Sequence, residues 1–129
     1  MAKDSRELGP PVPVLLVVDD DVAVLNSLKF CFEIEGFAVR LYADTSALLS
    51  DPDLPGFGCL VIDYHMPDMN GLELLARLRS NGVALPAVLI TGHPGPAPRR
   101  RAAEAGIAIV EKPLLGNALT EAIRRALET

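Results

Sequence analysis

A chain of 129 residues, half of them apolar, has the size of one domain with one core. Its 12 lysines and arginines against 17 aspartates and glutamates leave a net charge of -5, which excludes nucleic-acid binding driven by bulk charge but not a local basic patch. No apolar run approaches the ~20 residues of a membrane span, and Met1 to Glu7 lack the apolar segment of a signal peptide, so the expectation is a cytoplasmic protein.

Residues 1–12 mix charges with Gly9, Pro10 and Pro11, and are expected to form a flexible arm ahead of a domain over residues 13–129. Val14 to Val18 is short, apolar and rich in β-branched residues, which predicts a strand buried on both faces and stopped by Asp19, Asp20 and Asp21. From Val22 to Glu35 the spacing of Val24, Leu25, Leu28, Phe32 and Ile34 predicts a helix, capped by Asp20 or Asp21 and ended by Gly36. Phe37 to Tyr42 alternates, with Arg40 on the face opposite Phe37, Val39 and Leu41, as a strand at a sheet edge would. Asp44 to Ser50 reads as a short helix capped by Asp44 or Thr45, and Asp51 to Gly58 as a loop.

Cys59 to Ile62 predicts a third strand that delivers Asp63 to the rim of a sheet, followed by the turn chemistry of Pro67, Asp68 and Asn70-Gly71. Leu72, Leu74, Leu75 and Leu78 line a helix finishing at Asn81-Gly82, and Ala87 to Ile90 forms a fourth strand ending at Thr91. Three prolines and two glycines between Gly92 and Pro98 argue against a helix there, so the next one is expected near Arg99, with Arg99, Arg100 and Arg101 at the positive end of its dipole. Ile107 to Val110 is the fifth strand, stopped by Glu111-Lys112-Pro113. The last helix, Asn117 to Leu127, turns Leu119, Ile123, Ala126 and Leu127 inward. Cys31 and Cys59 sit in apolar surroundings without a Cys-x-x-Cys pattern and are expected to be two reduced core thiols.

Alternating strands and helices imply an α/β fold with a parallel sheet covered on both faces, whose ligands lie beyond the carboxyl ends of the strands. Four strands there end in polar groups: Asp19 and Asp20, Asp63, Thr91 and Lys112. Gathered in one pocket, three carboxylates repel one another unless a hard cation lies between them, and Mg²⁺ suits an all-oxygen site that shares phosphate oxygens. A hydroxyl and an ammonium opposite them serve the remaining oxygens of a phosphoryl group. Singly, each group has a plain structural explanation as a cap, a strand end or a surface ion pair. Together at the ends of four apolar runs they point to phosphoryl transfer.

Val17-Val18-Asp19-Asp20-Asp21, Val61 to Gly71 with its Asp-x-x-Met-Pro-x-Met-x-Gly run, Leu89-Ile90-Thr91-Gly92 and Glu111-Lys112-Pro113 resemble the receiver domains of bacterial two-component response regulators, with the Thr-Gly-His and Glu-Lys-Pro segments closest to the nitrogen-fixation regulators. The resemblance covers Val14 to Leu127 and implies a flavodoxin-like doubly wound sheet of five parallel strands in the order 2-1-3-4-5. It implies that Asp63 accepts a phosphoryl group from a histidine kinase or phosphotransfer protein. Asp20, Asp63 and the His65 backbone carbonyl would hold Mg²⁺, with Asp19 acting directly or through a water. Lys112 would bind a phosphoryl oxygen, with Pro113 following a cis bond, and Thr91 would be the switch hydroxyl. Such a domain is not a turnover enzyme; it gains and slowly loses the group on Asp63.

The chain also departs from that pattern. Ile109 stands where many receivers carry a Phe or Tyr, and Pro94, Pro96 and Pro98 are expected to shorten the fourth helix, which points to signalling through an altered surface around Arg99 to Arg101. His65 and His93 follow Asp63 and Thr91 by two residues and are expected either to tune the phosphoryl lifetime or to be solvated loop imidazoles. As a stand-alone receiver, a monomer or weak dimer, the protein would touch a downstream protein rather than DNA or a membrane. As a piece of a longer regulator, it would serve a DNA-binding domain. Two further readings compete: a receiver fold that is never phosphorylated, against which the intact Asp20, Asp63, Thr91 and Lys112 argue, and a haloacid-dehalogenase-like Mg²⁺ phosphatase using Asp19-x-Asp21, Thr91 and Lys112. The phosphatase needs acidic metal ligands after the lysine, and no aspartate lies between Pro113 and Thr129.

Overall fold

The computed structural model describes residues 12–92, 95–112, 114 and 116–128. The expected arm apart from Val12, His93, Pro94 and the bond before Pro113 lie outside the described residues. Strand and helix alternate in the order β1 (Val14–Val18), α1 (Val22–Ile34), β2 (Ala38–Tyr42), α2 (Thr45–Leu49), β3 (Gly58–Asp63), α3 (Gly71–Ser80), β4 (Ala87–Thr91), α4 (Pro96–Glu104), β5 (Ala108–Glu111) and α5 (Ala118–Leu127). All pairings are parallel, and the sheet order is β2-β1-β3-β4-β5, as expected for a doubly wound flavodoxin-like sheet.

Strand periodicity divides the core into two layers. Leu16, Val18, Leu60, Ile62 and Leu89 face Leu48 of α2, Leu74, Leu75 and Leu78 of α3 and Ala102 of α4. Leu15, Val17, Cys59, Val61, Val88 and Ile90 face Leu25, Leu28 and Phe32 of α1 and Leu119, Ala122 and Ile123 of α5. β1, β3 and β4 are buried along nearly their whole length, whereas β2 and β5 form the edges and are partly exposed. The wetter edge strand expected from the alternation around Arg40 is therefore β2.

Local chemistry sets the helix ends. Asp21, rather than Asp20, caps α1 by accepting from the Ala23 and Val24 amides at 3.0 and 3.4 Å. Asp44, rather than Thr45, caps α2. Asn70 and Glu73 form a reciprocal capping box at the start of α3.

Three expectations are corrected. α4 begins at Pro96, not near Arg99, with both prolines in its first turn. The amides of a first turn have no acceptor within the helix, so proline loses nothing there; the first bond to close is Arg99 N–H to Gly95 O at 3.2 Å. The nine-residue helix is thus close to the ten of α3 and α5, and Arg101 falls in its last turn, where the dipole favours it. Ile34 is 71% exposed, because α1 meets the sheet along Leu25, Leu28 and Phe32. Cys31 is also exposed, leaving only Cys59 as a core thiol; burial pushes its pKa up to about 12.

Candidate functional site

Register brings the strand-end groups into one row. Val18 pairs with Ile62, which sets Asp19 beside Asp63, and Asp63 pairs with Ile90, which sets Thr91 one residue beyond. Thr91 pairs with Glu111, and its carbonyl accepts from the Lys112 amide at 2.8 Å. Asp19, Asp63 and Thr91 are all buried, at 1%, 5% and 1% exposure, while Asp20 reaches solvent at the mouth.

One carboxylate oxygen from each of Asp19, Asp20 and Asp63 lies within 4.8 Å of the other two. Lys112 closes the opposite side, its Nζ 3.7 Å from Asp19 Oδ2 and 3.7 Å from Asp63 Oδ2. Asp19 Oδ1 accepts from the Asp21 amide at 2.9 Å, but Asp19 Oδ2 is buried without a hydrogen-bond partner among the described residues. A buried carboxylate oxygen left in that state is costly. The donor set, three clustered carboxylates with one orphaned oxygen, fits a hard divalent cation.

Burial raises the Asp63 pKa above its ordinary value, and the Asp19 and Asp20 charges raise it further; Lys112 and the His65 amide oppose the shift. That amide donates to Asp63 Oδ1 at a long 3.4 Å. The His65 ring is exposed and stands edge-on to Tyr64, with centroids 5.0 Å apart.

The turn behind Asp63 is held by contacts that sequence reading missed. Tyr64 N–H donates to Ile90 O at 2.8 Å, and Tyr64 O accepts from Gly71 N–H at 2.9 Å. Gly71 allows a close approach of α3 to the sheet: a Cβ there would lie 2.9 Å from Leu89 Cδ2, 3.1 Å from Ile62 Cγ2 and 3.2 Å from Asp63 O. Thr45, buried at the start of α2, reaches Asp68 Oδ2 with its hydroxyl at 3.5 Å, and Arg99 pairs with Glu111 next to Lys112. Hydrogen bonds between side chains on different elements leave no periodic signal.

The phosphatase-like alternative is not favoured, since Asp21 caps α1 through its Oδ1 and is not among the clustered acids Asp19, Asp20 and Asp63. Fold and pocket together define a doubly wound α/β domain with an acidic pocket and a lysine at the strand ends.

Residues 15–124 match the response regulator receiver domain family. The transcriptional regulatory protein FixJ of Rhizobium meliloti (strain 1021) is 40% identical over 114 residues, which are 87% of this chain and 55% of that protein. The response regulator protein TodT of Pseudomonas putida is 32% identical over 124 residues, 95% of this chain and 55% of TodT. A crystal structure of FixJ-N superposes with a TM-score of 0.82 at 37% identity, covering 92% of this chain and 96% of that one. The chain belongs to the response regulator receiver domain family, whose members act in two-component signalling between kinases and downstream effectors. It spans about half the length of the curated relatives it matches. Among the described residues no helix is long and apolar enough to cross a membrane.

Proposed function

We propose that Asp63 accepts a phosphoryl group from the phosphohistidine of a histidine kinase or phosphotransfer protein, in a Mg²⁺-dependent reaction in the cytoplasm, and that the modified domain changes its contacts with a downstream protein. The observation that carries this reading is a nearly buried carboxylate beside two others and facing an ammonium 3.7 Å away. A phosphoryl acceptor needs that combination of a nucleophilic oxygen and neutralising charge.

In the transfer, an Asp63 oxygen forms the new O–P bond as the N–P bond to the donor imidazole breaks. The imidazole nitrogen keeps that electron pair and takes a proton from solvent. Asp63 must be ionised to attack; Lys112 and the His65 amide favour that form against burial and the neighbouring acids. Lys112 and the Thr91 hydroxyl then donate to the transferred oxygens. Asp19, Asp20, Asp63 and the His65 carbonyl would hold Mg²⁺, which supplies charge neutralisation for the incoming group. The domain turns over no separate substrate: its chemistry is the gain and slow hydrolytic loss of the group on its own Asp63.

Incubation with acetyl phosphate or a phosphohistidine donor, with and without Mg²⁺, tests this by intact mass. The native protein gains one phosphoryl group only with Mg²⁺, Asp63→Asn gains none, and Asp19→Asn gains it more slowly. Labelling that survives Asp63→Asn but disappears in Asp19→Asn would overturn the assignment in favour of the phosphatase chemistry.

A further inference from the structure

α1 carries more apolar surface than the fold uses. Nine of its thirteen residues are apolar, yet only Leu25, Leu28 and Phe32 are buried. Among the described residues five large apolar side chains stand exposed, and three of them, Val22, Phe30 and Ile34, are on this helix. Phe30 and Ile34 are 68% and 71% exposed, more than the other three. With Ser27 and Cys31, also exposed, they follow one another at spacings of three and four residues and so share the face turned away from the core. A helix apolar on both faces is ordinarily covered on both.

The flanking charges say what covers the outer face. Lys29 and Glu33 form an i,i+4 pair beside Phe30, at 3.1 Å and about half exposed. The pair is self-complementary under a two-fold axis at Cys31. Two antiparallel copies of α1 bring Lys29 of each to the level of Glu33 of the other, because both residues lie two positions from that axis. The same axis stacks Phe30 on its symmetry mate and sets Ile34 toward Ser27 of the second copy, whose small side chain leaves room for the larger one. A parallel pairing would instead set Lys29 against Lys29 and Glu33 against Glu33. Glu35, the C-cap of α1, pairs with Arg124 of α5 at 3.0 Å, so the face is presented by an anchored helix.

We propose that two copies of this chain associate through an antiparallel α1–α1 contact centred on Cys31. Thirteen helical residues offer a face about 20 Å long and ~10 Å wide, well under the ~800 Å² per partner of a stable complex. The dimer is therefore weak and reversible. It stands whether or not Asp63 takes a phosphoryl group.

Sedimentation equilibrium over a range of concentrations, together with cross-linking by a short bis-maleimide, tests the contact. The native protein gains mass with concentration and yields a bridge between two Cys31 thiols, Cys59 being buried. Phe30→Ser and Ile34→Ser each weaken self-association roughly ten-fold or more and remove the bridge. Both variants stay folded, since the native side chains already lie in solvent. Phe57→Ser, which removes an exposed aromatic outside α1, changes neither readout. Lys29→Glu also weakens the dimer, and adding Glu33→Lys restores it. A monomer at every concentration, association that survives Phe30→Ser, or K29E that E33K does not rescue overturns the proposal. A monomer whose Phe30→Ser variant takes a phosphoryl group more slowly from a histidine kinase, but not from acetyl phosphate, also overturns it and assigns the face to the phosphoryl donor.

Discussion

Gly71→Ala would test whether the receiver motif's glycine is a packing requirement rather than a turn requirement. The new methyl would lie 2.9 Å from Leu89 Cδ2 and 3.1 Å from Ile62 Cγ2, both on fully buried side chains, and 3.2 Å from the main-chain oxygen of Asp63. Carbon atoms are comfortable at about 3.5–4.0 Å, so the first turn of α3 must retreat by roughly half an ångström. Overpacking of this kind costs about 1–3 kcal/mol, offset by less than ~1 kcal/mol of helix propensity. A net loss of about 1–2 kcal/mol lowers Tm by roughly 4–8 °C in a domain of this size. Because one clashing atom is the Asp63 carbonyl oxygen, the retreat also shifts the acceptor, and phosphorylation slows on the order of ten-fold. Urea titration and the acetyl phosphate labelling rate measure the two effects. Gly56→Ala is the control, since nothing lies within 4 Å of a Cβ at that position. Native stability and native labelling in Gly71→Ala would refute the close-approach argument.

At the opposite end of the strands, Gly58→Ala places its Cβ 2.0 Å from the Val14 carbonyl oxygen. It should destabilise more than Gly71→Ala, because the backbone must move, yet leave the labelling rate of the folded protein unchanged. Asp63→Asn should stabilise the metal-free protein at neutral pH. The raised native pKa means that Asp63 contributes stability below its ordinary value of 3.8 and loses it as pH rises through the native value. The advantage of the variant should accordingly widen with rising pH and vanish in acid; a gap independent of pH in thermal melts would contradict the sign. Arg124 pairs with Glu35 at 3.0 Å and lies 5.2 Å from the Phe37 ring centroid, so Arg124→Ala should cost about 1 kcal/mol, partly screened by salt. Iodoacetamide should label Cys31 in the native protein and Cys59 only after unfolding, given the buried thiol's pKa of about 12.

Element order, parallel sheet and strand-end acids were all legible in the chain, because apolar runs, caps and turn residues are local signals. Val14 to Val18, Cys59 to Ile62 and Ala87 to Ile90 are continuous apolar runs because both of their faces are covered, and such runs announce the centre of a sheet without knowledge of its partners. The motif around Asp63 likewise pointed to the candidate site. Where local reading failed, the deciding fact was either the position within a helix or the face it buries. Pro96 and Pro98 look like helix breakers until they are placed in a first turn, and Ile34 and Cys31 look like core residues until α1 is set on the sheet along Leu25, Leu28 and Phe32.

Asp63 at the end of an apolar strand is thus a property of the sequence, since a run of β-branched and aliphatic residues ending in a carboxylate can place it nowhere but the rim. That Asp19 is the buried neighbour with an orphaned oxygen, that Asp21 turns away to cap α1, that Lys112 stands equidistant from two acids, and that Gly71 must admit α3 against the sheet were decided by tertiary structure alone. The physical reason is distance: these relations join atoms on different strands and helices, and only sheet register and helix packing bring them within a few ångströms.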